Sequence, residues 1–286
     1  MQDWMEPFRF TTDSPFLAAF FLAFAIILLK PTVNWLVNNG VTALNYRGVR
    51  IPNRLGIYLW LITLIYFALV VLTSGTVPNA YALYMLALSG VVWSGWIDDA
   101  AGGNEAKGLR GHIRHSWRQG APTSGLLKAL TIGAASVVLA FESADTLPSG
   151  ILAATVTALS ANAVNLLDLR PGRALKAFFL LFLPVIYFCL AEGWGTEARN
   201  YMLPVASGAV LLFPGDLRSR WMLGDTGANF LGFALGYWVT RFTPWWYQTG
   251  LAVLLTLLHW ISERRSLSAM IDRIRWLRWL DRLGRA

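Results

Sequence analysis

Charge and cysteine are what this sequence has least of. Only 14% of its 286 residues are charged, against about 25% in an average soluble domain. That shortage excludes a disordered chain and argues against an ordinary soluble enzyme. The single cysteine, Cys189, lies in an apolar run. It can form no internal disulfide, so a disulfide scaffold is excluded, and it supplies no metal-binding spacing. There is no collagen-like period and no fixed-period repeat. The N-terminal MQDWMEPFRFTTD lacks the basic region and small-residue cleavage site of a secretory signal, so the first apolar stretch is expected to be retained.

What the chain has in excess is apolar surface. Apolar residues make up 56% of it and 14 residues are tryptophan. The net charge of +8 would point to nucleic acid in a polar protein. With this apolar excess it points to a membrane, and no nucleic-acid partner is expected. Indoles collect at membrane interfaces. A helix needs about 20 mostly apolar residues to cross the hydrocarbon core. Nine stretches qualify: 15–37, 55–77, 80–97, 125–141, 147–166, 174–194, 201–213, 228–239 and 245–261. The seventh and eighth are short and are expected to extend into their flanks. The fold expected is an all-α integral membrane protein of about nine transmembrane helices over residues 1–265. A basic amphipathic helix over 266–286 follows it.

Basic residues set the orientation. With nine spans, the odd-numbered ones end on one side, and that side collects 20 of the 24 lysines and arginines. The other side has Arg9, Arg199 and Arg241, while Lys128 lies inside the fourth span. The loaded side is read as cytoplasmic, which puts the N-terminus outside and the C-terminus inside.

The same side gathers polar clusters. Asp98 and Asp99 follow the third span in WIDDAAG, and Asn162, Asn165 and Asp168 close the fifth in NAVNLLD. Asp216 and Asp225 lie between the seventh and eighth in PGDLRSRWMLGDTGANFLG, and His259 and Glu263 close the ninth in HWISERRS. Each has a plain reading: a solvated helix end for the Asp pair, interhelical hydrogen bonding for the Asn face, an N-cap for Asp225 or Thr226, an interfacial polar residue for His259. Each also has a functional one. Adjacent like charges at a membrane boundary repel unless a cation lies between them, and oxygen-only clusters suit Mg²⁺ with substrate phosphate. Four such clusters at cytoplasmic span ends suggest a metal-and-phosphate site at the membrane surface.

At these residues the chain resembles the polyprenyl-phosphate N-acetylhexosamine-1-phosphate transferases, integral membrane enzymes that include phospho-MurNAc-pentapeptide translocase and the GlcNAc-1-phosphate transferases. The matching segments are NYRGVRIPNRLG, WIDDAAG, KGLRGHIRH, NAVNLLD, MLGDTGANFLG and HWISERRS, in the family's order, over about residues 45 to 266. The resemblance implies transfer of a sugar-1-phosphate from a UDP-sugar to undecaprenyl phosphate with release of UMP, for cell-envelope polysaccharide synthesis. It implies a multi-pass protein of the bacterial cytoplasmic (inner) membrane with its active site facing the cytoplasm. It also implies Mg²⁺, with Mn²⁺ as an alternative ion. By this resemblance Asp225 is the direct metal ligand, and Asp98 orients or deprotonates the lipid phosphate. Asp99 supports the metal or that phosphate. Asn165 and Asp168 contact the nucleotide, and His259 binds the donor diphosphate with Arg264 or Arg265. Arg50 assists with phosphate charge, and Gly224 and Gly227 permit close backbone approach. A homodimer is expected through the resemblance alone.

The chain also departs from the family pattern. After Asp168 a Gly-rich loop with a second acid is usual; here the text is DLRPGRALK, with Pro171 in the acid's place. Arg170, Arg173 and Lys176 make that loop basic, which suits a highly charged donor or its diphosphate. Gly102 replaces a polar residue and Met222 an aromatic one, and HWISERRS carries a single histidine. With these features the chain resembles the GlcNAc-1-phosphate branch more than the peptidoglycan translocase. In the tail, Ile271, Ile274, Leu277, Leu280 and Leu283 recur every three residues among Arg and Asp. That pattern reads as a surface helix on anionic lipid with Trp276 and Trp279 at headgroup level, or as a helix packed on the protein's own loops. His112 and His115 show no defensible metal spacing. Two other classes remain beside the transferase. One is a non-catalytic paralogue that binds lipid phosphate or nucleotide sugar, favoured by the altered loop. The other is a lipid transporter, disfavoured because transporter sites lie near the midplane.

Overall fold

The computed structural model describes residues 15–75, 77–102 and 123–285. Nine long helices run through the described residues, one for each apolar stretch. They are α1 (Pro15–Asn38), α2 (Gly56–Ser74), α3 (Asn79–Ala101), α4 (Ser124–Ser143), α5 (Leu147–Leu167), α6 (Arg173–Ala191), α7 (Gly195–Leu217), α8 (Gly224–Phe242) and α9 (Trp245–Ser262). The two short stretches do extend, to 23 residues in α7 and 19 in α8. Six of the helices, α1 to α6, are long and apolar enough to cross a membrane. On their outer faces Leu72, Leu86 and Leu190 are at least 70% exposed, which is favourable against lipid and costly against water. The chain is a multi-pass membrane protein. Residues 1–14 and 103–122, with Lys107, Arg110, His112, Arg114, His115 and Arg118, lie outside the described residues.

The short α8 is the axis of the bundle. From Thr226 to Val239 every residue is buried, and α2, α3, α5 and α6 pack around it. Small residues make this possible, because association inside a bilayer rests on close backbone approach. A Cβ added to Gly95 of α3 would lie 2.8 Å from Thr226 Cα, and one on Gly56 of α2 would overlap the Thr226–Gly227 backbone. Along α5, Gly236 meets Thr157 and Gly232 meets Ser160 and Ala161, so α5 and α8 run antiparallel. The same register carried to the helix ends sets Asp168 opposite Asp225.

Two elements differ from the all-helical expectation. The first loop carries a small antiparallel hairpin, β1 (Thr42–Leu44) and β2 (Arg50–Pro52), in the register Thr42↔Pro52. Asn45 closes its turn, its side-chain carbonyl accepting from Arg47 N at 2.9 Å and Val49 N at 3.0 Å. The tail is also not one continuous surface helix. It breaks at Ile274, which is extended, into α10 (Leu267–Arg273) and α11 (Arg275–Arg282). Its inner side packs on the protein's own α5–α6 loop, where Asp281 pairs with Arg173 at 2.7 Å. Trp276 and Trp279 remain exposed. Burial works against the Asp281 charge, but the Arg173 and Arg285 guanidiniums outweigh it and hold that carboxyl at about 2.

Gly56→Ala is expected to lower stability by about 1–3 kcal/mol through overpacking against α8, whereas Gly133→Ala, whose added methyl meets nothing within 4 Å, should stay within about 1 kcal/mol of the parent. Thermal unfolding in detergent, followed by size-exclusion chromatography, measures both.

Candidate functional site

The site forms where α8 begins. Gly224, at φ +67°, turns the chain into the helix in a conformation that side chains resist. The loop ahead of it is held by the end of β2 and the turn between β2 and α2. Met222 N donates to Pro52 O at 2.9 Å, and Leu55 N donates to Met222 O at 3.2 Å. A helix start leaves backbone N–H groups without partners. Here Asp99, reaching across from α3, supplies them. Its Oδ1 accepts from Asp225 N at 3.0 Å, and its Oδ2 accepts from Thr226 N at 2.9 Å and Thr226 Oγ1 at 2.6 Å. The N-cap expected of Asp225 or Thr226 is thus provided by a residue 126 positions away in the chain. A carboxylate at this end also complements the helix dipole.

Asp98, one step round α3, faces another way. Its Oδ1 accepts from Ser124 Oγ at 2.6 Å and its Oδ2 from Lys128 Nζ at 2.5 Å. The same ammonium also pairs with Asp225 Oδ2. Lys128 is therefore the cation between the two carboxylates, and its side chain and that of Asp98 are less than 15% exposed. The sequence carries a signal for it: a lone lysine inside an apolar span is costly unless it has a partner. Arg54 closes the other flank. Its Nη2 donates to the Asp99 carbonyl at 3.0 Å and its guanidinium lies 4.9 Å from the Trp96 ring centre, while its backbone sits at φ +64°.

Asp168 stands at the end of α5, half-buried. Burial pushes its carboxyl well above the usual range, and the negative charges of Asp216, Asp225 and Asp99 push it the same way. Four carboxylates therefore converge on this end of the bundle. Asp216 is committed, accepting from Gly172 N at 2.8 Å.

Other expected members are placed less directly. His259 lies on α9, which packs along α5. Its Nδ1 is 2.7 Å from the Leu255 carbonyl, and its buried Nε2 has no hydrogen-bond partner among the described residues. Arg264 stacks on Trp260 at 4.0 Å, and both it and Arg265 are exposed. Arg50 belongs to the hairpin, where its Nη1 donates to Thr42 Oγ1 at 3.3 Å. The Asn165 carbonyl accepts from Asp168 N, and Asn162, on the same helix, is exposed. Arg173 and Lys176, read from the sequence as phosphate-handling charge, are engaged elsewhere: Arg173 with Asp281, and Lys176 with the Leu280 and Asp281 carbonyls.

Among the described residues no three His, Cys, Asp or Glu side chains come close enough to enclose an ion. Mg²⁺ needs no such cage, because it takes one or two carboxylates and completes its shell with water and phosphate oxygen. Asp225, with Asp168 opposite, meets that requirement. The Lys128 ammonium already bridges Asp98 and Asp225, so an ion at Asp225 would share that carboxylate with it. Asp99 commits three of its acceptor sites to the start of α8, which leaves one lone pair on Oδ1 for a metal or a donor.

Compared with known proteins, the chain matches no family model, and no curated protein matches it.

Asp99 and Asp225 should separate experimentally. Asp99→Ala removes the cap and should cost about 1–2 kcal/mol of stability. Asp225→Asn leaves Lys128 paired with Asp98 and should change stability by no more than about 0.5 kcal/mol. Thermal unfolding of the two variants side by side checks the difference.

Proposed function

We propose that the chain is a Mg²⁺-dependent phosphoglycosyl transferase. It moves a sugar-1-phosphate, as N-acetylhexosamine-1-phosphate, from a UDP-sugar to undecaprenyl phosphate and releases UMP. The observation that carries this reading is the gathering of Asp98, Lys128, Asp225 and Asp168 at one end of the bundle, around the start of α8. The reading places nine spans across a bacterial inner membrane, with the N-terminus outside and this end in the cytoplasm. The basic residues, concentrated on the corresponding loops, support that orientation. The exposed Trp276 and Trp279 beside Arg275 and Arg278 suit anionic lipid at the same surface. A homodimer remains part of the proposal.

The chemistry is an anion attacking an anion. An oxygen of the lipid phosphate forms a bond to the phosphorus that carries the sugar. The bond from that phosphorus to the bridging oxygen breaks, and UMP leaves with the electron pair. Catalysis of this kind is positioning and charge neutralisation. Asp225, with Asp168, would hold the ion, which supplies Lewis-acid charge at the diphosphate. Lys128 offers a second positive charge within the same group. Asp98, already hydrogen-bonded to Ser124 and Lys128, orients the acceptor phosphate. A phosphate's second pKa is near 6, so much of the acceptor is already dianionic at neutral pH, and Asp98 need not act as a strong base. His259, through an Nε2 that has no partner among the described residues, is the candidate contact to the donor diphosphate.

A second reading, a non-catalytic binder of lipid phosphate or nucleotide sugar, is favoured by two observations. Lys128 already neutralises Asp98 and Asp225, and Arg173 and Lys176 are engaged by the tail.

Purified protein with undecaprenyl phosphate, Mg²⁺ and a panel of nucleotide sugars should release nucleoside monophosphate. EDTA and Asp225→Asn should each reduce the rate by at least about 100-fold. Ligand binding without turnover for any donor would favour the second reading. Cysteine-accessibility labelling at the two ends should find the C-terminus inside, and an external C-terminus would contradict the nine-span arrangement.

A further inference from the structure

The densest polar network outside the site joins the tail to the loop after Asp168. Arg173, only 6% exposed, grips Asp281 with two hydrogen bonds, Nε to Oδ1 at 2.7 Å and Nη2 to Oδ2 at 3.2 Å. Its remaining nitrogen, Nη1, donates to Ser268 Oγ at 2.9 Å. Lys176 donates to the Leu280 carbonyl at 2.9 Å and to that of Asp281 at 2.8 Å. From the other direction, Arg285 holds both oxygens of Asp281, at 2.8 and 3.1 Å, and its Nε reaches the Pro171 carbonyl at 3.1 Å. Leu217 of α7 is packed between Gly172 and Gly284, both in the left-handed region. A side chain at either position would collide with it. Gly172 N in turn binds the buried Asp216 carboxylate. Tail, loop and the end of α7 thus form one unit, and Asp168 is four residues before Gly172.

This network is more than a helix end needs. The loop DLRPGRALK is basic where the resembling family has a Gly-rich acidic loop, and two of its cations, Arg173 and Lys176, do not point to a substrate. They are held by one buried aspartate, the Ser268 hydroxyl and two backbone carbonyls of the tail, while Arg170 lies over the Tyr46 ring at 5.6 Å. Charged pairs that are buried and bidentate fix geometry tightly, and removing one partner leaves the others as uncompensated charge.

We propose that residues 266–285 are a strap that positions the loop 168–172, with Asp281 as its pin, and so sets Asp168 at the donor side of the site. The link to the donor rests on the transferase reading; the strap itself does not. Asp281 and Arg173 are positioning residues, since they act on the site through the loop.

The test uses the full chain in detergent and compares Asp281→Ala, Asp281→Glu and the parent. Hydrogen exchange of the peptide covering residues 169–176 should speed up on the order of tenfold in Asp281→Ala, with the amides of α3 and α8 unchanged. Asp281→Glu should restore most of the protection. In turnover with UDP-GlcNAc, Asp281→Ala should raise the donor KM about tenfold while the acceptor KM stays at the parent value. In calorimetry the affinity for UDP should fall by a similar factor. Unchanged exchange at residues 169–176 would overturn the strap. Faster exchange with unchanged donor KM and UDP affinity would overturn the link to Asp168. A parent chain that neither turns over nor binds UDP would overturn the donor half of the proposal, and the exchange result would then decide the strap alone.

Discussion

One carboxylate organises this protein. Asp99 leaves the end of α3 and accepts three hydrogen bonds at the start of α8, which is the only stretch of the bundle buried on all sides over fourteen consecutive described residues. Helix α8 cannot be slid or rotated without breaking that cap. Neighbouring residues on a helix point about 100° apart, so fixing Asp99 also turns Asp98 to a different side, toward α4. Ser124 and Lys128 wait there, and Lys128 reaches back to Asp225 in the first turn of α8. The adjacent pair therefore divides its work: Asp99 holds the scaffold, and Asp98 joins the charged group that the scaffold creates.

The rest of the site follows from where α8 is pinned. Its small residues let α5 approach with Thr157 against Gly236 and Ala161 against Gly232, and that register delivers Asp168 to the level of Asp225. Carboxylates from α3, α5 and α8 then lie together with one ammonium among them. Such a group is unstable as bare charge. It is held by Lys128, by backbone N–H groups, and, on the function proposed here, by a divalent ion shared with substrate.

Much of this is legible in the sequence, and the limits have physical causes. Apolar length alone locates the nine helices, because each must bury a continuous run. It cannot rank them, so the 228–239 stretch reads as one weak span among several although α8 is the axis. Its glycines lower its apolar content for the same reason that they let neighbours pack. The acidic motifs mark the end of the bundle where the carboxylates gather, but no motif tells which of two adjacent aspartates caps a helix. That depends on a partner more than a hundred residues away. Lys128 was visible as an isolated charge in an apolar helix, yet its partners are set by tertiary packing. The basic loop at Arg173 and Lys176 misleads for a related reason. Charge composition cannot distinguish a phosphate ligand from an ion pair with a distant Asp281. The hairpin at Thr42–Pro52 escapes notice because three-residue strands carry too little pattern.

The central claim is that this end of the bundle binds a divalent cation through Asp225. Mn²⁺ titration followed by electron paramagnetic resonance tests it without requiring turnover. The account predicts one saturable Mn²⁺ per chain, bound more tightly when UDP-GlcNAc is present, lost in Asp225→Asn and retained in Asp98→Asn. Saturable binding that survives Asp225→Asn, or no saturable binding with or without the nucleotide sugar, would contradict it.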